Sequence, residues 1–217
     1  MMPILYSFRR CPYAVRARLA ILAAKQCVEL REVLLRDKAP EFLEVSASGT
    51  VPCLEVDGYA IDESLDIMRW ALKKHDPEGW LDMPQEGWDL IEQADGPFKQ
   101  ALDRTKYASR YPDIDLRESR ADAMAFLYQL EERMDDWIFD KPTIADFAIL
   151  PFVRQFAFID KTLFDAQDLP NIHRWLEDFL SSRLFNDAMV KYEKWVSGDQ
   201  PIVFCPYEKT EVKTAGF

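Results

Sequence analysis

Cys11 is the residue of this chain whose type and setting best suit covalent chemistry. It follows the apolar run Ile4-Leu5-Tyr6-Ser7-Phe8, which reads as a short buried strand, and the loop pair Arg9-Arg10. Pro12, directly behind it, takes the favoured first position of a helix. The first-turn N–H groups of a helix lack intrahelical acceptors and carry the positive end of its dipole. A sulfur held there is expected to ionise below the ordinary thiol value of about 8.5. Arg9, Arg10, Arg16 and Arg18 crowd the same stretch. Their field is expected to favour the thiolate further and to hold an anionic substrate beside it. The competing reading is a buried, inert cysteine, a common fate of free thiols.

The other reactive residue types offer less. The remaining cysteines are Cys27 near a helix end, Cys53 inside a strand and Cys205 in the tail, with no CxxC pair. His75 and His173 lie far apart without carboxylate-rich spacing, so no metal site is expected and both histidines read as surface or capping residues. In a reducing compartment all four thiols are expected to be free. Tyr6 and Ser7, near the same strand end as Cys11, are the fallback hydroxyls and otherwise read as a core residue and a loop former.

The elements that must hold Cys11 alternate over the first 75 or so residues. Val15, Leu19 and Leu22 form a core-facing stripe on the first helix. Residues 29–35 predict a second strand and 40–46 a short helix. Gly49 to Val56 reads as a turn and a strand, and Asp57-Gly58 is a hairpin signal leading into Tyr59-Ala60-Ile61. Residues 63–74 read as a helix. This βαβ, αββα order implies a small mixed sheet with helices on its faces. The polar turns from His75 to Pro84 mark a boundary. Beyond it the pattern is helical, with one helix predicted over 118–139 and another from about Leu169 to Leu180. Thr143-Ile144-Ala145-Asp146 opens a further helix with the hydroxyl-x-x-acid form of a capping box, Asp standing for the usual Glu or Gln. The tail after Trp195 has no clear period, and its final residues are expected to be mobile. Trp88, Phe98, Tyr107 and Tyr111 are core aromatics by spacing and alternatively the lining of a substrate cleft.

Composition excludes several classes. The chain of 217 residues carries 27 Lys+Arg against 38 Asp+Glu, a net charge of −11, which disfavours nucleic acid. No apolar run approaches the roughly 20 residues of a membrane span. The opening MMPILYSFRRCPY lacks the apolar stretch of an export signal, so a cytoplasmic setting is expected, with no membrane partner.

Three motifs taken in order carry a resemblance: Cys11-Pro12-Tyr13-Ala14 after a strand, Val51-Pro52 before another, and Glu63-Ser64 opening a helix. Together they resemble the glutathione-transferase superfamily in its cysteine type, omega- or beta-like, over roughly residues 3 to 195. The capping box and the downstream Pro151-Phe152 resemble that family's hallmark for its central buried helix. The fold implied is an α/β thioredoxin-like N-terminal domain plus an all-α C-terminal domain. The glutathione-binding domain would span 1–76, a linker 77–86 and the all-helical domain 87–217. By the same resemblance Cys11 is the catalytic nucleophile and glutathione the co-substrate. Pro52 follows a cis bond, and the Val51 backbone pairs with the cysteinyl part of glutathione as an added strand. Glu63 and Ser64 take its γ-glutamyl end, although capping alone explains that pair locally. Lys38 matches a lysine used for the glycyl carboxylate, with a solvated loop lysine as the alternative. Ala14 stands where dithiol glutaredoxins place a resolving cysteine, so exchange would run on one thiol.

The activity expected is thiol transfer on glutathionyl mixed disulfides or glutathione conjugates by a homodimer. Its rivals are conventional conjugation of glutathione to electrophiles and a non-catalytic protein-binding module.

Overall fold

Ile4–Ser7 forms β1, the central strand of the computed structural model, which describes residues 2–206. It is followed by α1 (Pro12–Ala23), β2 (Val28–Glu32), α2 (Pro40–Val45), β3 (Cys53–Val56), β4 (Tyr59–Ile61) and α3 (Ser64–Lys74). β1 pairs parallel with β2 and antiparallel with β3, placing Leu5 between Leu30 and Leu54, all three fully buried. The β3–β4 hairpin turns on Asp57 and Gly58 at φ +50° and +87°. Two consecutive positive φ values are what a tight two-residue hairpin requires, and the Asp-Gly pair supplies them.

The helical part comprises α4 (Gln85–Gln93), α5 (Lys99–Lys106), α6 (Leu116–Glu131), α7 (Ile144–Ala157), α8 (Lys161–Asp165), α9 (Pro170–Ser181) and α10 (Arg183–Ala188). Between α4 and α5 the chain widens into a π-helical turn over 94–98 that contains Pro97. Proline lacks the N–H that an α-helical ladder needs there, and such widened turns recur at functional sites. α7 is apolar nearly all round and correspondingly buried, the signature of a central helix. Its Phe152 meets Tyr13 of α1 edge-on at 4.8 Å between centroids. The boundary segment is anchored too: Trp80 is fully buried, stacks on Phe147 at 3.8 Å, and its carbonyl accepts from the Ile144 N–H.

The capping box of α7 forms. The Asp146 carboxylate accepts from the Thr143 N–H at 2.8 Å, the Thr143 hydroxyl at 3.0 Å and, on its other oxygen, the Ile138 N–H at 3.0 Å. That third bond explains a departure from the predicted helix over 118–139. α6 stops at Glu131, and residues 132–143 loop back so that Ile138 reaches Asp146 while Met134 stays buried.

The tail differs more. Val203–Phe204 forms β5, antiparallel to β2, so residues 87–217 are not helical throughout. Val28 faces Phe204 and Glu29 faces Val203, a register that brings the next pair outward, Cys27 and Cys205, face to face. They form a disulfide with a Cα–Cα distance of 4.6 Å, which corrects the expectation of four free thiols. A pairing across 178 residues depends on the sheet edge the tail adopts, and no local pattern announces it. The final residues expected to be mobile lie outside the described residues. No described helix is long and apolar enough to cross a membrane, and the described residues hold no cluster able to bind a metal ion.

Candidate active site

Cys11 caps α1 with extended backbone at φ −82° and ψ 122°, and its N–H donates to the Phe8 carbonyl at 2.9 Å. That turn presents the sulfur to the free N–H groups of the first helical turn, and those of Tyr13 and Ala14 donate to it. Across the cleft, the Sγ–H donates to the Val51 carbonyl at 3.6 Å. The Val51–Pro52 bond is cis, and the Val51 N–H has no acceptor among the described residues. Sulfur and backbone edge are thus side by side.

The expected guanidinium field is weaker than the crowding of arginines suggests, because Arg16 and Arg18 are paired with carboxylates and Arg10 alone of the four lines the cleft. Arg16, 2% exposed, donates from Nε to the Ser64 hydroxyl at 2.9 Å and grips Asp95 with both terminal nitrogens, at 2.7 and 2.9 Å. Asp95 lies in the π turn, so this bidentate pair ties the sheet domain to the helical one. Arg18 is fully buried, donates to Ser7 at 2.8 Å and pairs with Glu32. Glu32 also accepts from the Arg9 N–H at 2.8 Å, which fixes the loop before Cys11. Arg10 lies over the Phe8 ring. Two of the four cations are therefore already neutralised by carboxylates.

The consequence for Cys11 reverses the expectation. Burial pushes its thiol above the ordinary value, outweighing the Ala14 and Tyr13 N–H groups and the positive charges of Lys99 and Arg16, which pull it down. The thiolate is the reactive form, so a raised value leaves less of it near neutrality than an ordinary cysteine has. Alkylation of Cys11 by iodoacetamide is therefore predicted to accelerate as pH rises and to be still accelerating at about pH 9. A rate already flat below pH 7 would restore the low-pKa thiolate. Cys53, fully buried and pushed up to about 12 by burial and by the Asp62 carboxylate, should stay unmodified while the protein is folded.

Glu63 and Ser64 open α3, but the Glu63 side chain caps nothing and is exposed, while Ser64 is buried against Arg16. Arg16, expected only as part of the positive field at Cys11, has a further contact that sequence reasoning missed. It donates to the Ser64 hydroxyl, and the only local sign was a charged residue next to the apolar stripe of α1. Beside them, Asp62 accepts from the Ser46 hydroxyl at 2.6 Å and the Ser48 N–H at 3.3 Å, so it braces the loop that leads to Val51. Lys38, partly exposed, lies just beyond the turn that Leu34 and Asp37 close and has no ion-pair partner among the described residues.

A cleft of about 500 Å³ opens at Cys11 between the two domains. Its walls include Phe8, Tyr13 and Tyr107 with Arg10, Lys99 and Lys106. Of the four candidate cleft aromatics only Tyr107 lines it. Phe98 is core, Trp88 packs beside Arg69, and Tyr111 is exposed.

A mixed sheet with a cis-proline edge facing a helix-capping cysteine, joined to a helical domain, defines the glutathione-transferase fold. The glutathione S-transferase N-terminal domain model matches residues 5–79 and its C-terminal domain model residues 91–178. The chain belongs to the glutathione S-transferase family and is a transferase-type enzyme with glutathione as co-substrate. It is 28% identical over 193 residues to glutathione S-transferase D7 of Drosophila melanogaster, covering 80% of this chain and 82% of that protein. Among solved structures, it resembles a glutathione transferase family member from Pseudomonas fluorescens with two glutathione bound, at TM-score 0.71 and 21% identity, over 87% of this chain and 92% of that one. It also resembles glutathione transferase Omega 3C from Trametes versicolor, at TM-score 0.73 and 17% identity, over 89% and 91%. A third likeness is a Pseudomonas putida glutathione transferase with one glutathione disulfide bound per subunit, at TM-score 0.72 and 18% identity, over 87% and 90%.

Proposed function

We propose that this enzyme is a cysteine-type, glutathione-dependent thiol transferase with Cys11 as its nucleophile. The observation that carries the reading is the sulfur itself. It is the free thiol that lines the cleft, it receives N–H groups from the first turn of α1, and it lies 3.6 Å from the Val51 carbonyl. In the proposed complex, glutathione lies extended along Val51 and Pro52, with its γ-glutamyl carboxylate at the start of α3. Ser64 and the first N–H groups of that helix receive the carboxylate, Glu63 faces the amine, and Lys38 faces the glycyl carboxylate.

The Cys11 thiolate attacks the glutathione sulfur of a mixed disulfide. A Cys11–glutathione disulfide forms, and the second thiolate leaves and takes up a proton. A glutathione thiolate then attacks the bound glutathionyl sulfur, which releases glutathione disulfide and returns Cys11 as thiolate. The net exchange converts a mixed disulfide and one glutathione into a free thiol and glutathione disulfide. The solved relatives with two glutathione molecules and with glutathione disulfide bound support a site of that capacity. The reading includes a cytoplasmic homodimer, by family resemblance.

One observation favours a second reading. A thiol held protonated is a donor, as its contact with Val51 illustrates, and a donor at this position suits a conjugating transferase that steadies the glutathione thiolate. Comparing kcat/KM on a glutathionyl mixed disulfide with that on 1-chloro-2,4-dinitrobenzene separates them. The thiol-transferase reading expects the disulfide to be preferred and its rate to rise with pH alongside Cys11 alkylation. Preference for the aryl halide would replace it with conjugation.

A further inference from the structure

Resting on the thiol-transfer reading, we infer that the second substrate is an aromatic anion, held beside Cys11 by Arg10, Lys99 and Lys106. The chain carries a net charge of −11, yet the cleft wall gathers these three cations against a single acid, Asp103. Lys99 and Lys106 stand seven residues apart on α5, two turns along one side of the helix. Asp103 pairs with Lys99, four residues before it, and leaves Lys106 with no carboxylate partner among the described residues. Arg10 has none either.

The apolar half of the site comes from the rings. The Arg10 guanidinium lies 5.2 Å from the Phe8 centroid, and the Lys106 ammonium lies 5.2 Å from that of Tyr107, whose ring Arg110 also covers at 4.5 Å. Tyr13, which lines the cleft beside Cys11, lies 5.7 Å from the Lys99 ammonium. Aromatic walls with cations on their rim accept a flat apolar body and a negative group at its edge. A neutral ligand would use only the rings, and a cationic one would meet net positive charge.

The test compares three mixed disulfides of glutathione, made with 4-mercaptobenzoate, its methyl ester and (4-mercaptophenyl)trimethylammonium. Each rate is divided by its uncatalysed rate to remove leaving-group differences. The benzoate is expected to exceed the ester in kcat/KM by about ten-fold, the low end of what a focused field gives, with the cation slowest. Lys106→Glu, or roughly 0.5 M salt, should bring that ratio to about two-fold or less. A ratio of one or below, or one that Lys106→Glu leaves unchanged, overturns the inference and leaves thiol transfer standing. If no disulfide is turned over, the thiol-transfer reading falls. Calorimetric binding of naphthalene-2-sulfonate against uncharged 2-naphthalenemethanol then decides the inference by itself. Tighter sulfonate binding, by about five-fold, supports it, and equal binding ends it.

Discussion

Cys11→Ala should reduce glutathionyl-disulfide exchange by a factor on the order of 10³ or more, the scale on which losing a covalent nucleophile acts. Nothing else in the described cleft can take over. Cys53 is fully buried, and Cys27 and Cys205 are bonded to each other. Ser7 is buried and bonded to Arg18, and the nearby Tyr13 hydroxyl is pushed by burial up to about 12, which makes it a poor nucleophile near neutrality. The fold should survive, because alanine keeps the backbone cap and gives up only the sulfur's contacts with the Val51 carbonyl and the first-turn N–H groups. Glutathione affinity should change little, since the groups facing the tripeptide are the Val51 edge and the start of α3. The measurement is single-turnover exchange with a glutathionyl disulfide alongside calorimetric binding of S-methylglutathione. Exchange within ten-fold of the native rate would remove Cys11 from the chemistry. Lost binding with an intact fold would instead make the sulfur a docking group.

Asp146→Ala should destabilise the protein by about 4 kcal/mol without touching the cleft. The carboxylate is fully buried and accepts three hydrogen bonds, at 2.8, 3.0 and 3.0 Å. Burial pushes its carboxyl up, opposed by those same donors. Truncation leaves the Ile138 and Thr143 N–H groups buried without an acceptor, and each orphan costs about 1–3 kcal/mol. It also frees both the start of α7 and the loop after α6. Domains are stable by only about 5–15 kcal/mol, so the loss is a large share of the whole. Asp146→Asn keeps the volume and one acceptor oxygen and should cost about half as much. Urea denaturation reads both. A cost under about 1 kcal/mol for the alanine variant would show that the loop and helix hold together without the carboxylate. Kinetics per folded molecule should stay native in either variant.

These two residues were legible in the sequence for the same reason. A helix start constrains residues one to four positions apart, so Cys11-Pro12 and Thr143-x-x-Asp146 announce themselves locally. The Asp57-Gly58 hairpin is of that kind too. The third bond to Asp146, from Ile138, is not, and it is the reason the helix predicted over 118–139 ends early. Met134 and Trp137 kept helical spacing, yet the loop buries Met134 without a helix. Spacing reports which residues turn inward, and several backbone paths can bury the same side chains.

What the chain determines by itself is the order of its elements as far as α3, the turn that closes its hairpin, and the sulfur at the head of α1. Each follows from interactions within a few residues. Where the arginines point is a tertiary outcome. Arg16 and Arg18 find Asp95 and Glu32 only after the helical domain and β2 have packed around α1. Their charges are then paired with carboxylates, and burial outweighs what remains of the positive field at the Cys11 thiol. The Cys27–Cys205 bond and the basic cleft arise the same way, from segments brought together by folding. Electrostatics depends on distance and burial in space, and neither is fixed until the chain has packed.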